Sequence, residues 1–240
     1  MSAIPLGQWD GKELSVVLKE TEEDEYDDNE DLRTILNAVV SNPAGGNVLA
    51  RLMIQLPHRE LEKKGSIELF KVTSREDGED KLKGLGKAML CAVFKKLKED
   101  RRLYDEDPIT LTAVGGFIDN LLAPDPETDI SVLEETIGKY RHGDSYLKHK
   151  KDAYANPKSY ENIVGRKYIQ DLILTVTNIN QTRKLIEYYG RYGFVVIPGE
   201  DYGIHANMTS TVGKILSACS PPKGGKTRRT KKTRKFSRRK

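Results

Sequence analysis

The sequence predicts a domain of the α/β (α+β) class, with a central β-sheet flanked by helices. The first observation is the segment IELFKVT at residues 67–73, whose apolar residues on both alternating faces are typical of a buried central strand. A glycine turn and an amphipathic helix follow it directly, and a second strand-and-helix pattern recurs about 90 residues downstream. Strands that alternate with helices in this way favour this fold class.

Four elements are predicted before the glycine turn. Residues 14–18 form the first strand, and an early helix follows. The apolar face of that helix is Leu32, Ile35, Leu36 and Val39. Residues 47–56 and 66–73 are the next two strands, separated by a turn at residues 63–65.

The glycine turn, KLKGLGK at residues 81–87, opens the amphipathic helix. Gly84 and Gly86 lack the Cβ atoms that would keep a phosphate away from the backbone, and the first turn of a helix presents unpaired N–H groups. The segment therefore predicts a binding site for a pyrophosphate. Its residues are Lys81, Lys83, Gly84, Leu85, Gly86 and Lys87.

Spacing separates this turn from other phosphate-binding loops. A Walker A loop needs a glycine where Lys81 stands and a Ser or Thr where Ala88 stands, and a dinucleotide loop needs a glycine at Met89. The pattern Q/R-x-x-G-x-G/A fits, with Lys81 at its first position. In this respect the segment resembles the acyl-CoA pyrophosphate loop of the GNAT family of N-acetyltransferases. A plain turn into a core helix is the alternative interpretation.

A second segment resembles the same family. The family places a strand L-x-V-x-x-x-N before A-x-x-L-Y-x-x-x-G-F, and LILTVTN at residues 172–178 is a strand-like counterpart. A short helix is predicted at residues 181–190, and LIEYYGRYGF at residues 185–194 reproduces the ending, with Tyr189 at the tyrosine position. HANM at residues 205–208 corresponds to the family's last strand.

The resemblance covers about residues 12–218 and implies a GNAT-like fold with a mixed, central, splayed sheet. Residues 109–114 and 172–177 both suit the family's single fifth strand, so its register stays open at this point. About 50 residues, roughly 115–167, then form an insertion. The capping-box pattern that begins at Ser131 predicts that this insertion is partly helical.

The resemblance implies that a primary amine attacks acetyl-CoA directly, without a covalent enzyme intermediate. Tyr189 is the expected general acid, because it shares a helix face with Leu185 and Ile186 that must turn towards the sheet. A packed core tyrosine is the alternative. Tyr188 is rotated about 100° away on the helix and is predicted to lie at the surface or to contact the insertion.

Glu68 is the candidate general base. It lies on an otherwise apolar strand and is predicted to share a face with Phe70 and Val72, where a desolvated carboxylate accepts a proton well. A sheet-edge glutamate paired with a lysine is the alternative. The resemblance also implies that Val72 offers backbone polar groups to the pantetheine arm, which pairs like an added strand.

The acceptor is an amine of a small molecule or of a protein lysine, and the sequence does not distinguish between them. Net negative charge on the folded part attracts cations in general. The insertion tyrosines are expected to form either a lid over the acceptor site or a small core of their own. They are Tyr140, Tyr146, Tyr154 and Tyr160.

Composition indicates one domain, residues 1–222, followed by a tail. Cys91 and Cys219 are too few for a disulfide framework, and Cys91 is predicted to be a small core residue. The four histidines are scattered, so no metal site is predicted. No charged-then-apolar leader and no run of about 18 apolar residues is present. A protein that is not secreted and works in the cytoplasm or nucleus of a host cell is expected, without membrane contact.

The formal net charge of +4 combines two opposite parts. Residues 223–240 hold 11 Lys or Arg and no acid, which leaves 29 basic and 36 acidic residues, a net of −7, in the rest of the chain. Without apolar periodicity, the tail is predicted to be disordered beyond a hinge at residues 221–222. Residues 20–31 hold nine carboxylates in twelve positions and are predicted to be a solvated loop.

The basic tail has three interpretations: non-specific binding of nucleic acid, a nuclear import signal, or a solubilising arm that folds back on the acidic loop. Its Gly-Gly-Lys start and Thr-interrupted basic run also resemble the tails of proteins from large nucleocytoplasmic DNA viruses. The alternative function is therefore a non-catalytic protein of the same fold that binds a polyanion through residues 223–240. The third possible function is that of a globular protein whose glycine turn binds a different phosphate ligand.

Overall fold

The computed structural model describes residues 3–9, 11–23, 33–42, 46–57, 64–72, 84–115, 129–154 and 163–220. These residues form a mixed sheet of eight strands with five helices, an arrangement of the predicted α/β (α+β) class. The strands are β1 (Ala3–Trp9), β2 (Lys12–Glu23), β3 (Arg33–Ser41), β4 (Val48–Gln55), β5 (Gly65–Val72), β6 (Pro108–Val114), β7 (Val195–Asp201) and β8 (His205–Thr211). The helices are α1 (Leu85–Glu99), α2 (Ile130–Gly138), α3 (Gly143–Ala153), α4 (Ile163–Gly190) and α5 (Val212–Cys219).

The order of strands in the sheet is β1-β2-β3-β4-β5-β6-β8-β7. Strands β1 to β5 form an antiparallel meander, and β5 pairs with β6 in parallel after the α1 crossover. Strand β8 lies antiparallel between β6 and β7. Strand β5 lies between β4 and β6 in the sheet, so the predicted central strand is confirmed in its position, but its pairing with β6 is limited to residues 65–67 and residue 73 lies outside the described residues.

The prediction of an early helix is wrong, because Ile35, Leu36 and Val39 lie in strand β3, while Leu32 lies outside the described residues. Leu36, Ala38 and Val40 are buried at a two-residue spacing, and β3 pairs with β2 on one side and β4 on the other. A short apolar run fits either period, so tertiary pairing decides between them. The strand predicted at residues 14–18 lies within β2, and the β1 hairpin strand that precedes it was not predicted.

The acidic segment is also partly a strand. Residues 20–23 belong to β2, and the Glu20 carboxylate accepts two hydrogen bonds from Arg102, each at 2.7 Å. Hydrogen bonding to that guanidinium, together with its charge, lowers the pKa of Glu20. Residues 24–31 lie outside the described residues. The prediction of a solvated loop is therefore wrong for residues 20–23, its first four residues.

The other predictions for the N-terminal half hold closely. Residues 47–56 and 66–73 correspond to β4 and β5, and the amphipathic helix is α1. The buried face of α1 is made by Leu85, Met89, Leu90, Val93, Phe94 and Leu97. This helix covers one face of the sheet and supplies much of the main core.

The strand predicted at residues 172–177 is wrong, because those residues lie inside the 28-residue helix α4. The hydroxyls of Thr175 and Thr177 donate to the carbonyls of residues four positions earlier, which lets β-branched residues sit in a helix without unpaired groups. Residues 109–114 are thus the strand that follows α1, and the insertion comes after them. The short helix predicted at residues 181–190 is the end of α4.

The described part of the insertion is helical, as predicted, and has a core of its own. Helices α2 and α3 pack on the N-terminal half of α4 around Ile137, Leu147, Tyr168, Ile169, Leu172 and Ile179. Tyr140, Tyr146 and Tyr154 pack against this second cluster. Tyr160 lies outside the described residues. Helix α2 begins earlier than the capping pattern at Ser131 indicated. Asp129 is its N-cap, and the Asp129 carboxylate accepts a hydrogen bond from the Ser131 N–H.

The prediction that Cys91 is a small core residue is wrong, because its side chain is half-buried and its sulfur is bonded to a second cysteine. Cys91 of α1 forms a disulfide with Cys219 of α5, 128 positions along the chain. Two cysteines so far apart carry no pairing signal in the sequence. The bond joins α5, the last helix among the described residues, to α1, the helix that follows the glycine turn.

Replacing Cys219 with Ser should lower the melting temperature, because the cross-link restricts the unfolded chain over a long loop. A disulfide typically contributes about 2–4 kcal/mol. Calorimetry with and without a reductant is the measurement: the reductant should lower the melting temperature of the wild type and leave Cys219→Ser unchanged. Equal melting temperatures for oxidised wild type and variant would show that the cross-link adds no stability.

Candidate active site

The sheet opens between β5 and β6. Their parallel pairing joins Gly65, Ser66 and Ile67 to Ile109, Thr110 and Leu111, and ends there. Beyond this point β5 stays paired with β4 as far as Val72, and β6 stays paired with β8 as far as Val114. The C-terminal halves of two neighbouring strands therefore do not pair with each other. A gap of this kind leaves backbone N–H and C=O groups of β5 available to an added extended ligand.

Glu68 lies at a β-bulge beside the start of this gap. Ile54 pairs with Ile67 and Met53 pairs with Leu69, so Glu68 is the extra residue on β5. A bulge shifts the alternation of side chains along a strand. Phe70 pairs with buried Leu52 and packs against the main core, whereas Glu68 does not. The expectation that Glu68 and Phe70 share a face is wrong for this reason.

The expectation that Glu68 is desolvated is also wrong. Its side chain is exposed and accepts a hydrogen bond from the Ser66 hydroxyl. The two residues line a cleft of about 310 Å³ on the sheet face turned away from the main core, together with Thr110, Thr112, Glu200 and Asn207. Within the cleft the Asn207 amide donates to Glu200 at 2.8 Å. Glu68 is thus a solvent-accessible carboxylate at the point where the strands separate.

Tyr189 lies on the core side of the same opening. Its ring is 8 % exposed and faces Phe70 at a centroid distance of 6.4 Å. Phe194 packs edge-on against it at 6.2 Å. Phe70 belongs to the half of β5 that has no β6 partner, so the Tyr189 ring lies beside the gap.

The protonation state of Tyr189 follows from its surroundings. Burial, with a smaller contribution from Tyr192, raises the pKa of Tyr189 from 10.0 to about 12. None of the hydrogen bonds found among the described residues involves its hydroxyl. At neutral pH this group is therefore a phenol that retains its proton and can donate it.

Tyr188 is not the surface residue that was predicted. Its ring packs edge-on against Tyr189 and Tyr192 at 5.3 and 5.4 Å, and it is half-buried. The Tyr192 hydroxyl donates to the Tyr188 hydroxyl at 3.4 Å. Burial is the main cause that raises the pKa of Tyr188. The adjacent residues thus differ in one respect that matters for chemistry, since the Tyr188 hydroxyl already has a partner.

The glycine turn begins α1 as predicted. Gly84 is the N-cap with φ of 89°, a left-handed conformation that favours glycine, and the cap has no side-chain hydrogen bond. An ideal Cβ at Gly84 would meet nothing within 4 Å, so the space beside this backbone is open. No acidic residue lies in the first turn of α1. These features fit an anion at this position.

The remaining residues of the turn differ in their exposure. Leu85 and Gly86 are buried, and Lys87 is exposed. Leu85 belongs to the same core cluster as Tyr189, so the turn and the phenol lie on one side of the sheet. Lys81 and Lys83 lie outside the described residues, as does the tail at 223–240. The described residues therefore place the start of α1 and Tyr189 on the core side of the sheet, with Glu68 on the opposite face.

The bulge at Glu68 is the feature that sequence reasoning missed here. Nothing in IELFKVT marks an extra residue, since the bulge depends on the register with β4.

Comparison with models of known protein families found no match, and neither the curated proteins nor the solved structures include one that is significantly similar to this chain. Among the described residues, no helix is long and apolar enough to cross a membrane.

The raised pKa of Tyr189 predicts a pH dependence. A group whose pKa is higher in the folded state adds stability that is complete below pH 10 and is lost as the pH rises towards 12. Wild type should therefore lose stability over this interval, and Tyr189→Phe should lose less. Denaturant unfolding at stepped pH is the measurement. Parallel curves for the two proteins would mean that the Tyr189 phenol is solvated.

Proposed function

We propose that this protein is an N-acetyltransferase with a GNAT-like fold that moves an acetyl group from acetyl-CoA to a primary amine. One observation carries the proposal: the parallel pair β5–β6 opens after three residue pairs, with the glycine turn following β5 and Tyr189 packed beside the opening. A splayed sheet of this kind is what the sequence resemblance implies. The eight-stranded mixed sheet supports the same fold family.

Binding of acetyl-CoA would use backbone groups first. The free N–H groups at the start of α1 face the pyrophosphate, and Lys87 adds an exposed positive charge. The backbone of β5 up to Val72 pairs with the pantetheine amides in place of the missing β6 neighbour. The thioester then lies where β5 and β6 separate, between Tyr189 on one side and the Glu68 cleft on the other.

The chemistry requires one proton to leave and one to arrive. The amine nitrogen forms a bond to the thioester carbonyl carbon, and the carbon–sulfur bond breaks. Tyr189 gives its proton to the departing sulfur, which its buried, neutral state allows. The amine proton passes to solvent in the cleft, where the exposed Glu68 carboxylate can receive it. Solvent then returns a proton to the Tyr189 oxygen.

Gly84→Asp should weaken acetyl-CoA binding by more than about tenfold, a loss of about 1.4 kcal/mol. The carboxylate would occupy the open space beside the backbone and repel the pyrophosphate. Isothermal titration calorimetry with acetyl-CoA is the measurement.

Gly84→Asn is the matched control for this substitution. It has the same shape and tolerates the left-handed conformation comparably, but it carries no charge. Its affinity should therefore lie between those of wild type and Gly84→Asp. If both variants bind like wild type while folded, the glycine turn does not hold the cofactor and the family assignment fails.

Tyr189→Phe should lower kcat by about 10²–10⁴-fold and leave the dissociation constant for acetyl-CoA nearly unchanged. The substitution keeps the ring contacts with Phe70 and Phe194 and removes only the proton donor. Single-turnover acetylation of a panel of primary amines is the measurement, since the acceptor is not fixed by the sequence.

Tyr188→Phe deletes the same atom one residue earlier and serves as the control. Its hydroxyl is engaged by Tyr192, so kcat should change by less than Tyr189→Phe changes it. Equal rates for wild type and Tyr189→Phe would leave Tyr189 a core residue and favour the non-catalytic, polyanion-binding alternative.

A further inference from the structure

A second cavity of about 390 Å³ lies between the insertion and the β7–β8 turn. Its lining comes from α2, α3, the middle of α4, and the residues around Tyr202. Much of the wall is made by apolar and aromatic side chains, which are those of Ile137, Tyr140, Tyr146, Leu174, Ile179 and Ile204. Cavities of this size, largely apolar with a few polar groups, are typical of sites for small organic ligands.

Arg141 is the charged group in this wall that is free to meet an anion. Its guanidinium lies 5.4 Å from the centroid of the Tyr202 ring and donates to the Gly199 carbonyl at 2.7 Å. Across the described residues it has no carboxylate partner. The rings of His205 and His142 stack with Tyr202 at 4.6 and 6.0 Å, which builds a flat aromatic wall beside the guanidinium.

The acid in the same wall is already neutralised. Asp171 accepts from Lys150 at 2.7 Å and from the Tyr154 hydroxyl at 2.8 Å. Its charge is therefore balanced inside the cavity, and the Arg141 charge remains in excess. An anion would enter this cavity without meeting an unpaired carboxylate among the lining residues.

Asn178 supplies a polar group that lacks a partner. Its Oδ1 atom is buried, and no described residue hydrogen-bonds to it. Asn178 lines the cavity, and buried polar atoms are usually paired, so a ligand that donated to this oxygen would satisfy it.

We propose that this cavity binds a small planar aromatic anion. The ring lies against the apolar and aromatic walls, its phosphate or carboxylate pairs with Arg141, and a polar atom on the ring edge bonds to Asn178. The site is separate from the acetyl-transfer centre, because Asn178 precedes Tyr189 by eleven helical residues, or roughly 16 Å along α4. The proposal therefore does not depend on acetyl transfer.

Calorimetric titration of the full chain at physiological salt tests the ligand class. Two anions are compared with neutral molecules of nearly the same shape: AMP with adenosine, and indole-3-acetate with indole-3-acetamide. At least one anion should bind about tenfold or more tighter than its neutral counterpart, a difference of about 1.4 kcal/mol. The pair that responds distinguishes a phosphate from a carboxylate. Inorganic phosphate measures binding that needs no aromatic ring, as at the basic tail or the glycine turn.

Variants then assign the binding to this cavity. Arg141→Gln should weaken the anion by about tenfold or more, and Arg191→Gln, an exposed arginine away from the cavity, should not. Asn178→Asp keeps the shape and adds a negative charge, so it should weaken the anion more than the neutral molecule. This second variant tests the site even if Arg141→Gln does not fold.

Three results would overturn the proposal. One is the absence of binding by both aromatic anions at millimolar concentration. Another is an affinity for inorganic phosphate equal to that for the aromatic anion, which would assign the binding to a site that needs no aromatic ring, such as the tail or the glycine turn. The third is an unchanged anion affinity in folded Arg141→Gln or in Asn178→Asp.

Discussion

Three parallel residue pairs, Gly65–Ile67 with Ile109–Leu111, join the antiparallel meander to the C-terminal strands, and Glu68 and Tyr189 of the proposed acetyl-transfer site lie beside the place where the pairing stops. If the pairing continued to Val72, the backbone groups of β5 would be used within the sheet, and a ligand could not add to them. The bulge at Glu68 lies at the residue where the pairing ends. It also turns the carboxylate to the face opposite Phe70. Strand geometry alone thus separates the acid side from the base side of the proposed reaction.

A joint of three pairs needs support from outside the sheet, and α1 provides it. Its buried face packs on β1, β4 and β5, and α5 packs on α1 from the other half. The disulfide between Cys91 and Cys219 fixes these two helices to each other. Disulfides persist in oxidising compartments and are rare in the cytosol. The bond is therefore the feature that bears most directly on the expected cytoplasmic or nuclear location, and a reduced chain would rely on packing alone at this joint.

The elements next to the site were predicted from patterns in adjacent residues. Features that depend on residues distant in the sequence were not predicted. Strand β5, its glycine turn and α1 were predicted because burial on both faces, positive φ and helical spacing are written into adjacent residues. Strand β3 was taken for a helix, and residues 172–177 for a strand, because short apolar runs fit both periods until neighbours are known. The bulge at Glu68 and the disulfide at Cys91 depend on partners distant in sequence, so no pattern could reveal them. Burial of Tyr189 was predicted from its helix face, but the sequence did not specify its contact with Phe70.

Helix α4 links the two halves of the molecule that carry proposed functions. Its N-terminal half is buried in the insertion core, and its last turns pack against the main core. Thr182 fixes its position: the Gly115 N–H donates to the Thr182 hydroxyl at 2.8 Å, and that hydroxyl donates to the Ile204 carbonyl at 2.8 Å. An added Cβ on Gly115 would lie 2.2 Å from the Asn178 carbonyl oxygen, so the close approach of β6 and α4 requires glycine there.

Both proposed sites lie on this one helix. Asn178 in the aromatic cavity and Tyr189 beside the strand gap are eleven residues apart on α4, with no break in the helix between them. A ligand in the cavity would change the position of the Tyr189 hydroxyl only if it moved α4. Coupling of this kind follows only if the ligand binds one position of α4 better than another.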